Sequence, residues 1–329
     1  MREIIISDYE ANQRLDKFLG KYMSQAPNGF FYKMMRKKNI VLNGKKACGR
    51  EKLAAGDSVK LFLSDETIDK FSGAVRTEVL PRTDYRLNII YEDEHVLFIN
   101  KPVGMLSQKA KASDVSLVEY ITDYLLKSGQ ITGEELRTFH PGICNRLDRN
   151  TSGLITAGKS LAGLQELSLG FKKRTFRKYY RCLVAGEIKK AEHIKGYLIK
   201  QEEKNFVNVE SVPSEGADFI ETEYRPVAYG NGITLLEVHL ITGKTHQIRA
   251  HLASVGHPII GDYKYGNRRL NDRYKAKYGL SSQLLHAYRL EFPKMEGALK
   301  ELSNQTFLAK EPELFRKIQY QLTGDAGEE

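Results

Sequence analysis

Residues 140–160 read HPGICNRLDRNTSGLITAGKS, a stretch that combines one acid, two nearby arginines, a polar turn and an apolar run. Asp148 stands at its centre, with an arginine two positions before it and another directly after it. Because nearby positive charge favours a carboxylate, we expect this side chain to be ionised and suited to act as a nucleophile or a base. Residues 150–153 are typical of a turn and residues 154–156 of a strand. The pattern therefore predicts Asp148 on a loop held by a strand, where catalytic groups are often presented.

Two other interpretations apply to this stretch. An isolated R-x-D-R pattern is most often a surface ion pair, which contributes about 0–1 kcal/mol to stability. Residues 153–160, G-L-I-T-A-G-K-S, also match the phosphate-binding loop pattern G-x-x-x-x-G-K-[ST]. Such a loop follows an apolar strand, whereas Arg-Asn-Thr-Ser precedes Gly153 and the four spacer residues themselves favour a strand. We therefore do not expect this protein to hydrolyse nucleotides.

The composition indicates a soluble, globular protein with an anionic partner. The 329 residues suffice for one large domain and a small one, with 41% hydrophobic and 28% charged residues. The 51 basic and 41 acidic side chains give a net charge of +10, which favours nucleic acid or another polyanion. Residues 1–64 hold 13 basic against 6 acidic side chains, a net charge of +7, so the excess is concentrated there.

The spacing of the cysteines and the length of the apolar runs indicate the cell compartment of the protein. The three cysteines have no C-x-x-C spacing, which argues against a disulfide framework and against a cysteine zinc site. No run approaches the ~18 apolar residues that are needed to span a bilayer. We therefore expect a cytoplasmic protein that does not bind a membrane.

The first 64 residues predict a compact module of two helices and a small hairpin. Apolar residues in segment 13–22 follow helical spacing, and a second helix is expected after Pro27. Asn43-Gly44 is the strongest short signal for a hairpin turn. Basic side chains beside the second helix and this turn are suited to contact phosphates without reading bases, although a solvated helix face explains them equally well. The candidates for nucleic-acid contact are Arg36, Lys37, Lys38 and Lys45.

The remaining chain predicts a larger domain of strands and helices at 84–322. Residues 65–83 show no periodicity and are expected to form a semi-extended linker, and the acidic residues 323–329 are expected to fray. The clearest elements are predicted strands at 87–91, 96–100, 154–156, 182–184 and 238–240, and predicted helices at 116–126 and 161–171.

Two basic segments contain further candidate residues. Residues 172–181, KKRTFRKYYR, place aromatic side chains among basic ones, a pattern that suits unpaired bases but also an amphipathic strand edge. Residues 242–252 predict a turn that enters a helix. His246 and His251, with His239 as a third candidate, could suggest a metal site, but the two would lie about 140° apart on that helix, which is poor for one ion. We therefore expect structural or RNA-facing histidines and no metal site. Arg249 is a permanently charged, planar donor that can grip a carboxylate or a phosphate.

Taken together, six ordered blocks resemble the RluA/RluC/RluD type of RNA pseudouridine synthase. They are YEDEHVLFINKPVG (91–104), NRLDRNTSGL (145–154), RKYYRCLVAG (177–186), TGKTHQIRAH (242–251), GHPIIGDYKYG (256–266) and LLHAYRLEF (284–292). The resemblance implies an α+β fold in which helices flank a mixed, largely antiparallel central sheet, with the active site in a cleft across it.

The N-terminal module has a resemblance of its own. It is similar to the RNA-binding module of small-subunit ribosomal protein S-four in three segments: RLDKFL (14–19), MRKKNIVLNGK (35–45) and GDSV (56–59). Asn39 stands where that pattern usually has Gly, a minor departure because Asn also tolerates left-handed backbone. The resemblance implies that residues 1–64 bind RNA.

The family resemblance also implies an activity and a site. The family isomerises uridine in RNA, replacing the N1–C1′ bond by a C5–C1′ bond, without metal or cofactor. Asp148 matches the essential aspartate, which either attacks C1′ or removes the 2′ proton to give a glycal. Arg249 is expected to pair with Asp148, and Tyr180 to stack on the uracil and help remove the C5 proton. Arg146 is expected to fill the place of the flipped base, with Lys178 as a basic position near the tyrosine.

The expected partner is large-subunit ribosomal RNA, either naked or in an assembly intermediate, and the expected state is a monomer. Asn145 departs from the His that many members carry before R-L-D, so no role of that His is transferred. Two alternatives stay open. One is an RNA-binding or ribosome-assembly factor with a vestigial site. The other is a tRNA-modifying enzyme, which should tolerate the loss of residues 1–64.

Overall fold

The computed structural model describes residues 1–72, 85–111, 113–201 and 206–323. These residues form a small N-terminal module and a larger part built on a mixed sheet flanked by helices, so the predicted α+β class is confirmed.

The N-terminal module has its own sheet and its own core. Within the described residues its four strands pair antiparallel in the order β1-β4-β2-β3. Leu15, Phe18 and Leu19 are fully buried, as the helical spacing of the first helix predicts. The elements are β1 (Arg2–Ile5), α1 (Leu15–Tyr22), α2 (Asn28–Arg36), β2 (Ile40–Leu42), β3 (Lys45–Lys46), β4 (Ser58–Leu61) and α3 (Asp65–Ser72).

The predicted hairpin turn is confirmed. Leu42 pairs with Lys45 across two turn residues, and both turn residues have positive φ, 50° for Asn43 and 72° for Gly44. Such a turn matches the twist of its flanking strands, and Asn-Gly adopts it at low cost. The turn therefore presents Lys45 to solvent at the edge of the module.

The predicted linker at 65–83 is wrong over its first eight residues, which form α3. Ile68 is buried in the module core, and the Phe71 ring lies 4.8 Å from the Phe30 ring. The sequence hides this helix because only one short apolar pair marks its buried face in an otherwise polar segment. The module therefore extends to Ser72, beyond the predicted boundary at 64, and residues 73–83 lie outside the described residues.

The large sheet runs β11-β10-β12-β13-β9-β14-β8-β6-β5 among the described residues, with β15 added to β14 and β7 to β8. All of its pairings are antiparallel except β8 with β14. The strands are β5 (Ile89–Glu92), β6 (Val96–Lys101), β7 (Gly142–Ile143), β8 (Ser152–Gly158), β9 (Arg177–Ala185), β10 (Glu192–Gln201), β11 (Phe206–Glu210), β12 (Asp218–Gly230), β13 (Ile233–Leu240), β14 (Leu285–Glu291) and β15 (Thr306–Leu308).

The helices of this part pack against the sheet. Ser116 and Glu119 form a capping box at the start of α4, which fixes where that predicted helix begins. No helix in the described ranges is both long enough and apolar enough to cross a bilayer. The α-helices are α4 (Leu117–Lys127), α5 (Leu161–Lys173), α6 (Gln247–Ser254), α7 (Arg268–Tyr278) and α8 (Glu313–Thr323), with short 3-10 helices at Glu135–Arg137 and Gly297–Leu302. The rest of the expected tail, 324–329, is outside the described residues.

Strand β8 lies deep in the sheet and is buried along its whole length. At Gly153, φ is +116° and an added Cβ would lie 2.2 Å from the Ala287 carbonyl oxygen, so only glycine lets β14 come this close. The apparent phosphate-loop pattern is thus a strand, as expected. Its lysine, Lys159, is buried and donates to Glu92 Oε1 at 2.7 Å.

Polar contacts join the N-terminal module to the larger part. Tyr22 Oη donates to Glu134 Oε1 at 3.2 Å, and the Arg137 guanidinium lies 4.6 Å from the centre of the Tyr22 ring. The Leu161 amide, at the start of α5, donates to the Tyr9 carbonyl at 3.2 Å. The module is therefore attached to the sheet domain by more than the connecting chain.

Candidate active site

A pocket of about 490 Å³ opens between the loop before β8, strand β9 and the turn that enters α6. Its size suits a small ligand such as one nucleoside. Five of the predicted site residues line it, although they come from three distant parts of the chain. They are Arg146, Asp148, Lys178, Tyr180 and Arg249.

Arg249 joins two carboxylates at the base of the pocket. Its Nη1 donates to Asp148 Oδ2 at 2.8 Å, across 101 positions of sequence. Its Nε and Nη2 donate to the two oxygens of Asp262 at 2.7 and 3.0 Å. Burial alone would lower the pKa of Arg249, but the two carboxylates raise it above its usual value. The guanidinium is therefore a fixed positive charge beside Asp148.

Asp262 is held as firmly as the arginine. It is almost fully buried, and Oδ1 also accepts the backbone amides of Lys264 and Tyr265 at 2.9 and 3.1 Å. Burial would raise the pKa of this carboxyl, but the bonds from Arg249 lower it below its ordinary range. The ionised Asp262 carboxylate thus fixes the Arg249 guanidinium on the side away from Asp148.

The start of α6 aims these side chains at the pocket. Gln247 Oε1 accepts the Lys244 amide at 3.0 Å and the Thr242 hydroxyl at 2.9 Å, while its Nε2 donates to the Glu221 carbonyl. His246 precedes the helix with φ 57°, a left-handed conformation that is uncommon for a residue other than glycine. The buried glutamine therefore holds a strained turn in place.

A second loop fixes the backbone around Asp148. Ser107 Oγ donates to the Leu147 carbonyl at 2.7 Å and accepts the Leu147 amide at 3.1 Å. The fully buried Lys101 donates to the Met105 and Arg149 carbonyls at 2.9 and 3.2 Å. Burial lowers the pKa of Lys101 to about 7, against the attraction of Asp148. Asp148 thus lies on a loop held by a strand, as predicted, and its flanks are bonded on both sides.

The flanking arginines do not supply the charge that the sequence suggested. Arg149 Nε donates to the Gly104 carbonyl at 3.0 Å, and Arg146 is exposed at the pocket lining. Arg249 is the cation bonded to the carboxylate. The arginines of the R-x-D-R pattern therefore belong to the loop around Asp148, whereas the arginine that pairs with its carboxylate comes from α6.

Strand β9 presents Lys178 and Tyr180 to the pocket, because side chains two positions apart share one face of a strand. Burial and the negative charge of Asp148 raise the pKa of Tyr180, so its phenol is neutral. Burial and the nearby Arg174 lower the pKa of Lys178 to about 8. Tyr179 lies on the other face, stacked on His239 with ring centres 4.8 Å apart.

Asn145 ties the loop before Asp148 to β8. Its Oδ1 accepts the Thr156 amide at 2.8 Å and the Thr156 hydroxyl at 3.0 Å, and its Nδ2 donates to the Leu154 carbonyl. The departure from the usual His thus leaves a residue whose polar atoms all stabilise the loop.

The two histidines near α6 are each hydrogen-bonded through Nδ1. Buried His251 bonds through Nδ1 to the Thr222 hydroxyl at 3.0 Å, and His246 bonds through Nδ1 to the Tyr265 hydroxyl at 2.9 Å. Over the part of the chain that the structure describes, no three His, Cys, Asp or Glu side chains are grouped to hold a metal ion.

Comparison with known proteins decides the family. The family model described as RNA pseudouridylate synthase matches residues 95–254, which include Asp148, Tyr180 and Arg249. The chain is 34% identical over 297 residues to the ribosomal large subunit pseudouridine synthase C of Vibrio vulnificus, with 87% of each chain covered. The chain belongs to the RNA pseudouridylate synthase family. It is therefore an enzyme, an isomerase that converts uridine in RNA to pseudouridine, and the vestigial alternative falls away.

Other relatives and solved structures agree. The synthase is 31% identical to the Vibrio cholerae protein of the same description, over 88% of each chain. It is 30% identical to an uncharacterized RNA pseudouridine synthase of Mycoplasma genitalium, over 89% of this chain and 90% of the relative. Human RNA pseudouridylate synthase domain containing 4 shares the fold, with a TM-score of 0.55 at 22% identity, covering 72% of this chain and 92% of that one.

Two residues of this synthase site were not predicted in their present positions. Asp262 was placed only in a turn-rich loop, and His246 was expected to be a structural or RNA-facing histidine, without a specific position. A signal for Asp262 exists, because an acid followed by a tight turn can accept the next backbone amides and present its second oxygen to an arginine. For His246 the sequence carries no comparable signal.

The four basic candidates of the N-terminal module lie apart from the pocket lining. Arg36, Lys37, Lys38 and Lys45 are all exposed, at the end of α2 and on the hairpin of β2 and β3. Exposed cations on short, well-ordered elements can reach phosphates, but they are not placed for chemistry in the pocket.

Proposed function

We propose that this synthase isomerises uridine in large-subunit ribosomal RNA, in the cytoplasm, with Asp148 as its reacting carboxylate. The observation that carries the proposal is the Asp148 carboxylate, bonded at 2.8 Å by a buried arginine in a nucleoside-sized pocket. The curated relatives from Vibrio are named for the large ribosomal subunit, which supports the choice of RNA.

The chemistry breaks one bond to C1′ and forms another. The N1–C1′ bond cleaves with its electron pair left on uracil N1, the base turns, and C5 bonds to C1′. Loss of the C5 proton is balanced by protonation of N1. Asp148 either attacks C1′ or removes the 2′ proton, and either role needs the ionised carboxylate. Atoms are conserved and nothing is oxidised, so the proposal calls for no cofactor.

Arg249 and Asp262 have a positioning role in this proposal. Two of the three guanidinium nitrogens bond Asp262, which leaves Nη1 pointed at Asp148 Oδ2 in a fixed direction. A bidentate pair adds geometric restraint as well as energy. The carboxylate therefore meets the ribose in one orientation instead of sampling several.

Tyr180 provides a flat, neutral surface for the uracil. Its side chain is buried in the sheet, and a raised pKa keeps the phenol protonated at neutral pH. An aromatic ring stacks on any unpaired base. The family resemblance also assigns this residue a part in removing the C5 proton after the new bond has formed, and a protonated phenol takes that part by releasing its own proton as it accepts the new one.

We assign Arg146 and Lys178 to contacts with the RNA around the flipped base. A base that leaves a duplex costs a few kcal/mol of unstacking, and the exposed Arg146 at the pocket lining is placed to occupy the vacated position. Lys178 lies deeper in the same pocket and supplies positive charge beside the extruded nucleotide. The N-terminal cations would then hold RNA phosphates away from the reacting base.

Mapping pseudouridines in ribosomal RNA tests the choice of substrate. Cells without the protein should lack one or more pseudouridines of the large subunit, and the Asp148→Asn variant should not restore them. Loss of a tRNA pseudouridine with unchanged ribosomal RNA would favour the tRNA alternative instead. Purified enzyme on naked transcript and on isolated subunit precursors then separates the two forms of ribosomal substrate.

A further inference from the structure

A narrow gap between an imidazole and a carboxylate lies inside the pocket. His246 Nε2 is 3.9 Å from Asp148 Oδ2, which is too far for a direct hydrogen bond. It is close enough for a single oxygen atom to bond both groups. Both residues line the pocket, and the two side chains are 9% and 26% exposed, so a ligand in the pocket can reach the gap.

The surroundings of His246 favour the tautomer that carries its proton on Nε2. Tyr265 Oη already accepts the Val207 amide at 3.1 Å, and its own proton is free to donate to His246 Nδ1 at 2.9 Å. An imidazole whose Nδ1 accepts a hydrogen bond carries its proton on Nε2. Burial lowers the pKa of His246 below its usual value despite the nearby Asp148, so the ring is neutral at pH 7.

The gap thus has a donor on one side and an acceptor on the other. His246 Nε2–H can only donate into it, and Asp148 Oδ2 can only accept. The ligand group that satisfies both at once is a hydroxyl, whose oxygen accepts one bond while its hydrogen donates the other.

Only one hydroxyl of the substrate is available. Within an RNA chain the 3′ and 5′ oxygens are esterified, so each internal ribose keeps a single free hydroxyl, on C2′. The inference rests on the proposed role of Asp148, because a carboxylate that reacts at C1′ or at the C2′ proton lies beside that hydroxyl in either route. We propose that His246 is a specificity-determining residue that binds the ribose 2′-hydroxyl of the target uridine and so selects RNA over DNA at the reacting nucleotide.

The test uses two RNAs that differ at one atom. Each is the stem-loop that contains the uridine modified by the enzyme, with either uridine or 2′-deoxyuridine at that position. Affinity is measured by stopped-flow fluorescence anisotropy in the first seconds at low temperature, before turnover. Wild-type enzyme should bind the uridine RNA about tenfold more tightly, because the deoxyuridine probe loses one hydrogen bond from the neutral imidazole and one to the Asp148 carboxylate.

Three variants and one matched control test whether His246 causes that ratio of affinities. His246→Phe removes the donor but leaves Asp148 to accept the 2′-hydroxyl, so the ratio should fall to about threefold, while His246→Gln keeps an N–H donor and should retain most of the wild-type discrimination. Tyr265→Phe deletes the hydroxyl that bonds His246 Nδ1, together with the acceptor of the buried Val207 amide. Its thermal unfolding is therefore compared with that of the wild type first, and the folded variant should show an intermediate ratio. Tyr263→Phe, which deletes an exposed hydroxyl bonded to Asp272, is the matched control and should leave the ratio unchanged.

Two results would overturn the inference. One is a wild-type ratio near one, which would mean that water and not the ribose fills the gap. The other is the full wild-type ratio in both His246→Phe and Tyr265→Phe. The choice of ribosomal substrate can fail without affecting this test, since the probes are built on whichever uridine the enzyme modifies. Failure of Asp148 as the reacting group is detected separately, as normal turnover by Asp148→Asn.

Discussion

The pocket and the N-terminal module hold positive charge in opposite ways. In the pocket the Arg249 side chain is 8% exposed and is bonded by two carboxylates, so its position is fixed. In the module Arg36, Lys37 and Lys38 are exposed at the end of one helix. A buried and paired charge can orient a reacting group, whereas solvated charges attract phosphates over a wide range of geometries. The comparison predicts that the pocket controls the rate and the module controls affinity.

Among residues other than Asp148 itself, the largest effect is expected from Arg249→Gln. The variant leaves the buried Asp262 and the partly exposed Asp148 without their shared cation, so the direction of the Asp148 carboxylate is no longer fixed. We expect the single-turnover rate at saturating RNA to fall about 10³-fold, with the Kd for RNA within about threefold. Tritium release from [5-³H]uridine-labelled RNA measures the rate.

Arg225→Gln is the matched control for that variant. Arg225 also bonds a carboxylate, Glu237 at 2.7 Å, but it is 60% exposed and lies outside the pocket lining. Its rate should stay near that of the wild type. If Arg225→Gln proved as damaging as Arg249→Gln, the loss would reflect general instability and the separation of roles would fail.

The next effect is expected from charge reversal in the module. Replacing Arg36, Lys37, Lys38 and Lys45 by Glu should weaken RNA binding about 10- to 100-fold at physiological salt and reduce its salt dependence. The saturated single-turnover rate should stay within a few-fold of the wild type. Filter binding across a salt series, together with the rate at high RNA concentration, measures both quantities.

Four exposed lysines outside the module provide the comparison set for this experiment. Reversing them changes the net charge by a similar amount and should weaken binding much less. Equal weakening by both sets would mean that total charge, rather than the module, attracts the RNA. The control residues are Lys294, Lys300, Lys310 and Lys317.

Much of the fold could be predicted from local sequence. The helical spacing of Leu15, Phe18 and Leu19, and the Asn43-Gly44 turn, express preferences that act over a few residues, and the structure confirms both. Helix α3 was missed because its stability comes from contacts of Ile68 and Phe71 with the rest of the module. Such tertiary packing leaves little periodic signal in eight residues.

The site was only partly predictable for a similar reason. The pairing of Arg249 with Asp148 was expected from family resemblance and has the expected geometry, 2.8 Å between Nη1 and Oδ2. The position of Asp262, and the hydrogen bond of His246 to Tyr265, both depend on the path of the loop that follows α6. Periodicity does not encode that path, so only the structure brings these residues together.

The smallest expected effect is a change of RNA affinity with pH. Burial and Arg174 lower the pKa of Lys178 to about 8, so its positive charge is lost as the pH rises through that value. An ordinary exposed lysine keeps its charge up to about pH 10. We therefore expect RNA binding to weaken a few-fold between about pH 7 and pH 9.

Lys178→Arg isolates this contribution, because arginine stays charged over that range. The variant should bind RNA with little change between the two pH values. Lys101 also has a lowered pKa, about 7, but it is bonded to backbone carbonyls below the loop and is present in both proteins. An unchanged pH dependence in Lys178→Arg would remove Lys178 from the RNA-binding surface.

The central claim is that the Asp148 carboxylate, fixed by Arg249, is the reacting group of this synthase. The most direct test is the single-turnover rate of pseudouridine formation by Asp148→Asn, measured beside its Kd for the same RNA. We expect a rate at least about 10⁴-fold below that of the wild type, with RNA affinity within about threefold. A rate within about tenfold of the wild type at equal affinity would contradict the claim.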